Sequence, residues 1–148
     1  MRTFAIYVLL ILGVPAAAVA ADPRVEVVGA VQKPGAIAFH DLPAQTVAVD
    51  QATSGPKFQG SFSGPALWDV LAKAGVVDPG RGGLLQRTVT ITARDGYAVV
   101  MSYAEINPDY GGNGAILAVG EGASIRLIVP HDRRAGRAVR DVVKIEVR

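Results

Sequence analysis

The most regular alternation of apolar and polar positions runs over residues 88–94, where Val89, Ile91 and Ala93 alternate with Thr88, Thr90, Thr92 and Arg94. A period of two predicts a half-buried strand. Asp95-Gly96 follows, a strong two-residue hairpin signal, and residues 97–101 supply the returning strand. A helical period occupies residues 65–74, where Leu67, Val70, Leu71 and Ala74 share one face. Ser63 or Gly64 is placed to cap this helix, and Pro65 suits its first turn, where the missing N–H would have no partner anyway. Asp69 and Lys73 form an i, i+4 pair, and Gly75 supplies the left-handed end. Trp68 stands beside the apolar face and reads as a packing residue.

Elsewhere the pattern is shorter. Residues 24–31 are β-rich and end at Gln32-Lys33-Pro34-Gly35, with a short return over 36–39 and a turn at His40-Asp41-Leu42-Pro43. A brief apolar piece covers 46–49. Residues 50–63 mix Gly, Pro, Ser, Gln and two Phe without period, which predicts a long loop of the kind that often carries function. Ser102-Tyr103-Ala104-Glu105 fits a capping box, which gives Glu105 a structural duty rather than a catalytic one. After a glycine-rich loop at 109–114, strands are predicted over 115–119, 124–129 and 142–147. In the last, Val143, Ile145 and Val147 face inward while Lys144 and Glu146 face out. The sum is an α+β architecture, mostly strands with one clear helix.

The N-terminal residues have a different character. Arg2 precedes an apolar run from Phe4 to Val14, broken only by Gly13, and small residues follow before the first acid at Asp22. This is the three-part pattern of a cleavable secretory signal over residues 1–21, and the run falls short of the ~20 residues a membrane span requires. The expectation is an exported, periplasmic protein with no stable membrane anchor, whose single domain covers residues 22–148. That length supports a core without disulfides or metal. The chain has no cysteine, which excludes a lipidated cysteine, thiolate metal ligands and thiol nucleophiles. A formal net charge of +2 is too small to mark a nucleic-acid binder, so none is expected as a partner.

Phosphate-loop, dinucleotide, nucleophile-elbow and zincin motifs are all absent. His40-Asp41 and His131-Asp132 are adjacent pairs whose side chains point apart in extended chain, so no metal site is expected from them. The basic C-terminal segment is the most informative. Residues 126–148 hold seven Arg or Lys against three acids, and Arg133, Arg134, Arg137 and Arg140 cluster around Gly136. Guanidinium forks match phosphate and sulfate oxygens in geometry as well as charge. The competing reading is a solvated loop with Arg140 paired to Asp141 or Glu146.

Several segments taken in order carry a resemblance. Phe62-Ser63-Gly64-Pro65-Ala66-Leu67-Trp68-Asp69-Val70-Leu71 with Ala74-Gly75-Val76 comes first, then Ala93-Arg94-Asp95-Gly96-Tyr97. Arg126-Leu127-Ile128-Val129-Pro130 and Val139-Arg140-Asp141-Val142-Val143-Lys144-Ile145-Glu146-Val147 follow. With the opening at 25–31, Lys33-Pro34-Gly35 and Asp41-Leu42, these resemble the molybdopterin-binding domain of the sulfite oxidase family of oxidoreductases over nearly all of residues 22–148. The resemblance implies that fold and, in full members, a molybdenum–pterin cofactor whose metal is held by a cysteine before the first helix. Here the corresponding residues 50–63 contain none, and Ser54 or Ser63 would be the oxygen alternatives. It also places Arg137, Arg140 and Lys144 near the pterin phosphate. The reading that follows is an exported binding module for a small anionic or pterin-type ligand, without molybdenum redox chemistry. A molybdopterin-dependent oxidoreductase with a non-cysteine ligand is the alternative. A third possibility is an interaction subunit for an exported redox protein, with Trp68, Phe58 and Phe62 forming an exposed patch.

Overall fold

A computed structural model describes residues 21–148. The signal-peptide reading therefore falls almost wholly outside the described residues. Among those residues no helix is long and apolar enough to cross a membrane.

The chain opens with β1 (Arg24–Gly29) and β2 (Gly35–Ala38), followed by β3 (Ala44–Gln51) and β4 (Phe58–Pro65). Helix α1 (Leu67–Ala74) precedes β5 (Thr88–Ala93) and β6 (Ala98–Ser102), and one helical turn, α2 (Tyr103–Ile106), follows. β7 (Ile116–Val119), β8 (Ile125–Ile128) and β9 (Val142–Val147) complete it. A five-stranded sheet has the order β2-β1-β9-β5-β6, in which β1 and β9 run parallel and the other pairs antiparallel. Two hairpins, β3–β4 and β7–β8, lie beside it as separate ribbons. The expected α+β class, mostly β with one clear helix, is what the chain adopts.

Two apolar clusters hold these layers together. The larger joins Val25, Val27, Val89, Ile91, Ile145 and Val147 of the sheet to Leu67, Val70 and Leu71 of α1, and all nine are at most 1% exposed. The smaller unites Val49 with Ile116, Ala118 and Ile128, and Val47, Phe58 and Phe62 pack against it. The ribbons cross where Gly64 meets Leu117, and a Cβ at Gly64 would collide with the Leu117 carbonyl. Only glycine permits that approach.

Several expectations are corrected. Residues 50–63 are not a loop: most of them belong to the β3–β4 hairpin, whose eight pairs run from Ala44 opposite Pro65 to Gln51 opposite Phe58. The period was masked because Gly60 sits between Phe58 and Phe62 on their face, so only two of three positions announce it. Pro65 closes β4 rather than opening α1. The helix starts after Ala66 without a side-chain cap, and the Leu67 N–H donates instead to the Ala115 carbonyl at 2.8 Å. Gly75 does end it in the left-handed region, at φ 71°. Lys73 reaches Asp41 at 3.2 Å and makes no ion pair with Asp69. The β5–β6 turn uses three residues, not two: the Gly96 N–H donates to Ala93 O and the Ala93 N–H to Tyr97 O. In β9 a bulge opposite Thr92 and Ala93 puts Val142, not Val143, in the core.

A candidate anion-binding cleft

The tip of the β3–β4 hairpin and the basic segment after β8 are joined by backbone. The Ala52 N–H donates to Arg133 O, and the Ala135 N–H donates to Ala52 O, both at 3.0 Å. Behind the segment the Leu127 N–H donates to Val139 O at 2.9 Å, and the Tyr97 hydroxyl donates to Gly136 O at 2.7 Å. Four hydrogen bonds therefore fix a stretch whose composition alone suggests freedom. Between tip and segment lies a cleft of about 470 Å³. Ala52, Phe58, Ala135, Gly136 and Ala138 give it a largely apolar lining, while Thr53, Ser54, Arg126, Arg134 and Arg140 supply its polar groups.

Each arginine arrives there for a local reason. In β8, Ile125 and Leu127 point into the large core, so Arg126 takes the opposite face with Ile128 of the small cluster. Its Cζ lies 5.1 Å from the centroid of the Phe58 ring, within cation–π range. Arg134 follows the residue bonded to Ala52. Arg140 follows Val139, which is 1% exposed and fixes the backbone there. Among the described residues, no carboxylate stands within ion-pair distance of Arg126, Arg134 or Arg140. Burial, and after it the neighbouring charge of Arg140, lowers the proton affinity of Arg126, and Asp141 only partly offsets this. The cleft thus concentrates positive charge that Asp141 offsets only in part and that no ion pair among the described residues neutralises.

The other expected site residues lie elsewhere. Arg137 is committed to two acids: its Nε and Nη2 donate to Asp132 at 2.8 and 2.6 Å, and its Nη1 donates to Glu105 at 2.7 Å. Those bonds to Asp132, against the opposing effect of burial, raise its proton affinity well above that of a free guanidinium. Arg133 contributes its backbone to the hairpin tie, but its side chain does not line the cleft. Lys144 sits on β9 in register with Glu26 and Thr92, away from the cleft. Ser54 lines the cleft, whereas Ser63 lies on the opposite face of β4 from Phe62 and hydrogen-bonds Thr46 at 2.7 Å. Glu146 pairs with Arg148 at 3.0 Å rather than with Arg140. Of the seven expected residues, Ser54, Arg134 and Arg140 come together, and Arg126 and Phe58 join them.

Arg126 and Phe58 were missed as site residues. The available signal was a single charge inside the apolar run 125–129, which the alternation assigns to the face opposite the main core. The three aromatics named for a patch are each half-buried and divide between the two clusters. Phe58 and Phe62 stack at 5.0 Å in the small cluster, while Trp68 packs against Tyr103 at 5.6 Å beside the large one. His40 bonds Asp22 at 2.6 Å and approaches Asp41 at 2.9 Å. Among the described residues no group of three His, Asp or Glu side chains is arranged to hold a metal.

No family model matches the chain, and no curated protein matches it significantly.

Proposed function

We propose that this protein is an exported, periplasmic binding module for a small ligand with an anionic oxyacid group, borne on a pterin-type or comparable body. Arg126, Arg134 and Arg140 hold that group in the cleft. One observation carries the reading: three guanidinium groups share a cleft with no acid paired to any of them among the described residues. Arg137, a few residues away, is paired twice. Like charges held together raise each other's energy, and an anion relieves that cost while accepting charge-assisted hydrogen bonds.

The sulfite-oxidase-like fold belongs to this proposal, and its cofactor divides into two halves. The metal half does not suit the donors present. The chain offers no thiolate, the Ser63 hydroxyl is taken by Thr46, and Ser54 lies exposed at a hairpin tip. An unactivated hydroxyl is a poor replacement for a soft thiolate ligand. A phosphate does suit the arginines, so the cofactor's anionic end, not its metal, matches this chain's chemistry. No redox step is assigned.

Calorimetric titration with inorganic phosphate and sulfate tests the reading. Arg134→Ala and Arg140→Ala should each weaken binding by about tenfold or more, since a hydrogen bond to a charged group contributes ~1.5–3 kcal/mol. Rising salt should weaken it further. Equal affinity in the double variant would sink the proposal. Export is tested separately by the mass of the protein recovered from the periplasm, which should begin at Ala21 or Asp22.

A further inference from the structure

The cleft is one of two hollows that share the same pair of guanidinium groups. The second, about 300 Å³, is also lined by Arg126 and Arg140, with Phe62, Ala118, Val119 and Ile125 as its apolar wall. Phe58 belongs to the first hollow and Phe62 to the second. The two rings lie 5.0 Å apart on one face of β4. Gly60 stands between them on that face, at a φ of 146° that favours glycine, and places no side chain between the rings. An aromatic floor thus runs from one hollow to the other, with Arg126 above Phe58.

The geometry points to a ligand whose anionic group lies in its middle: a phosphodiester-type anion with an apolar arm on each side. Arg126 and Arg140 clasp the charge, one arm lies on Phe58, and the other lies on Phe62. The inference rests on the anion-binding reading and narrows it. A monoester would occupy the first hollow and leave the apolar wall of the second in water, forfeiting the burial that wall offers. A second anionic group in the second hollow is disfavoured, because Asp141 lines it and would repel that charge. One charge at the waist and two uncharged arms match the distribution of arginines, aromatics and the single acid.

The test compares inorganic phosphate, phenyl phosphate and diphenyl phosphate by calorimetry at one ionic strength. Affinity should rise in that order, with diphenyl phosphate about tenfold tighter than phenyl phosphate although it carries less charge. Phe62→Ala should remove that last step, so that diphenyl phosphate binds the variant no more tightly than phenyl phosphate binds the same variant. Phe62 also packs on the small cluster, so Phe62→Leu, which keeps the packing but loses the aromatic face, provides a second variant. Phenyl phosphate binding as tightly as diphenyl phosphate would overturn the two-armed ligand while leaving the anion site standing. No binding by any of the three would overturn both.

Discussion

Replacing Arg137 by alanine should cost stability and spare anion binding, the opposite of what the arginines of the cleft should do. The side chain makes three hydrogen bonds to two carboxylates, at 2.6, 2.7 and 2.8 Å. Its partner Glu105 also accepts from the Ser102 backbone and from Asn113, each at 3.3 Å, so the cluster joins the last loop to the cap of α2. Fully buried, charge-assisted bonds of this kind would contribute ~1.5–3 kcal/mol each. Here the side chains of Arg137, Asp132 and Glu105 remain 34%, 20% and 38% exposed, so water screens them. Exposed pairs contribute at most ~1 kcal/mol each. Two half-screened pairs therefore give up to about 2 kcal/mol, equivalent to a fall in Tm of up to roughly 6 °C for a domain of this size. Urea unfolding followed by fluorescence reads this out, because Trp68 is the sole tryptophan and packs against Tyr103 near that cluster. A loss below about 0.5 kcal/mol would refute the structural role, by the scale of ordinary surface substitutions. Loss of phosphate binding in a folded Arg137→Ala protein would refute the division of labour among the arginines.

Other substitutions probe the frame. Leu71 is fully buried against the sheet, so Leu71→Ala should destabilise by ~2–5 kcal/mol in the same unfolding assay, and a change below that range would mean the core is looser than described. Gly64→Ala forces a Cβ into the Leu117 backbone and should abolish the soluble folded protein or lower its Tm far more than Gly55→Ala, where the added Cβ meets nothing. Burial, helped by the charges of Asp109 and Asp78, disfavours ionisation of Tyr103 and raises its pKa above the ordinary 10.0. Such a group stabilises fully below the unfolded value and loses that contribution as pH rises above it. The urea midpoint should therefore fall above about pH 10, and less steeply in Tyr103→Phe. Identical slopes would contradict this.

What could be read from sequence follows the strength of each local signal. The β5–β6 hairpin, α1 and the capping box were all legible, because each is specified by contacts within a few residues. The β3–β4 hairpin was not. Its inner face carries Phe58, Gly60 and Phe62, and the glycine answers a positive φ of 146° inside the strand rather than a turn, so the alternation is lost. Only the start of helix α1 misled, for a related reason. Pro65 and Ser63 look like capping residues, but the strand continues through them because Ala44 and Thr46 lie opposite. The arginine cluster was visible as composition, yet its sorting depended on tertiary contacts. Arg137 meets Glu105 from 32 positions earlier, and Arg126 enters from a strand that pairs with β7. Spacing along the chain carries no information about which guanidinium finds an acid.

The most direct test is a residue-resolved NMR titration of the arginine Nε–H groups with inorganic phosphate. Arg126, Arg134 and Arg140 should shift together along one saturating curve, while Arg137 and Arg148, already bonded to carboxylates, stay where they are. Small, linear, unsaturating shifts across all the arginines would mean that the cleft is only a solvated basic surface.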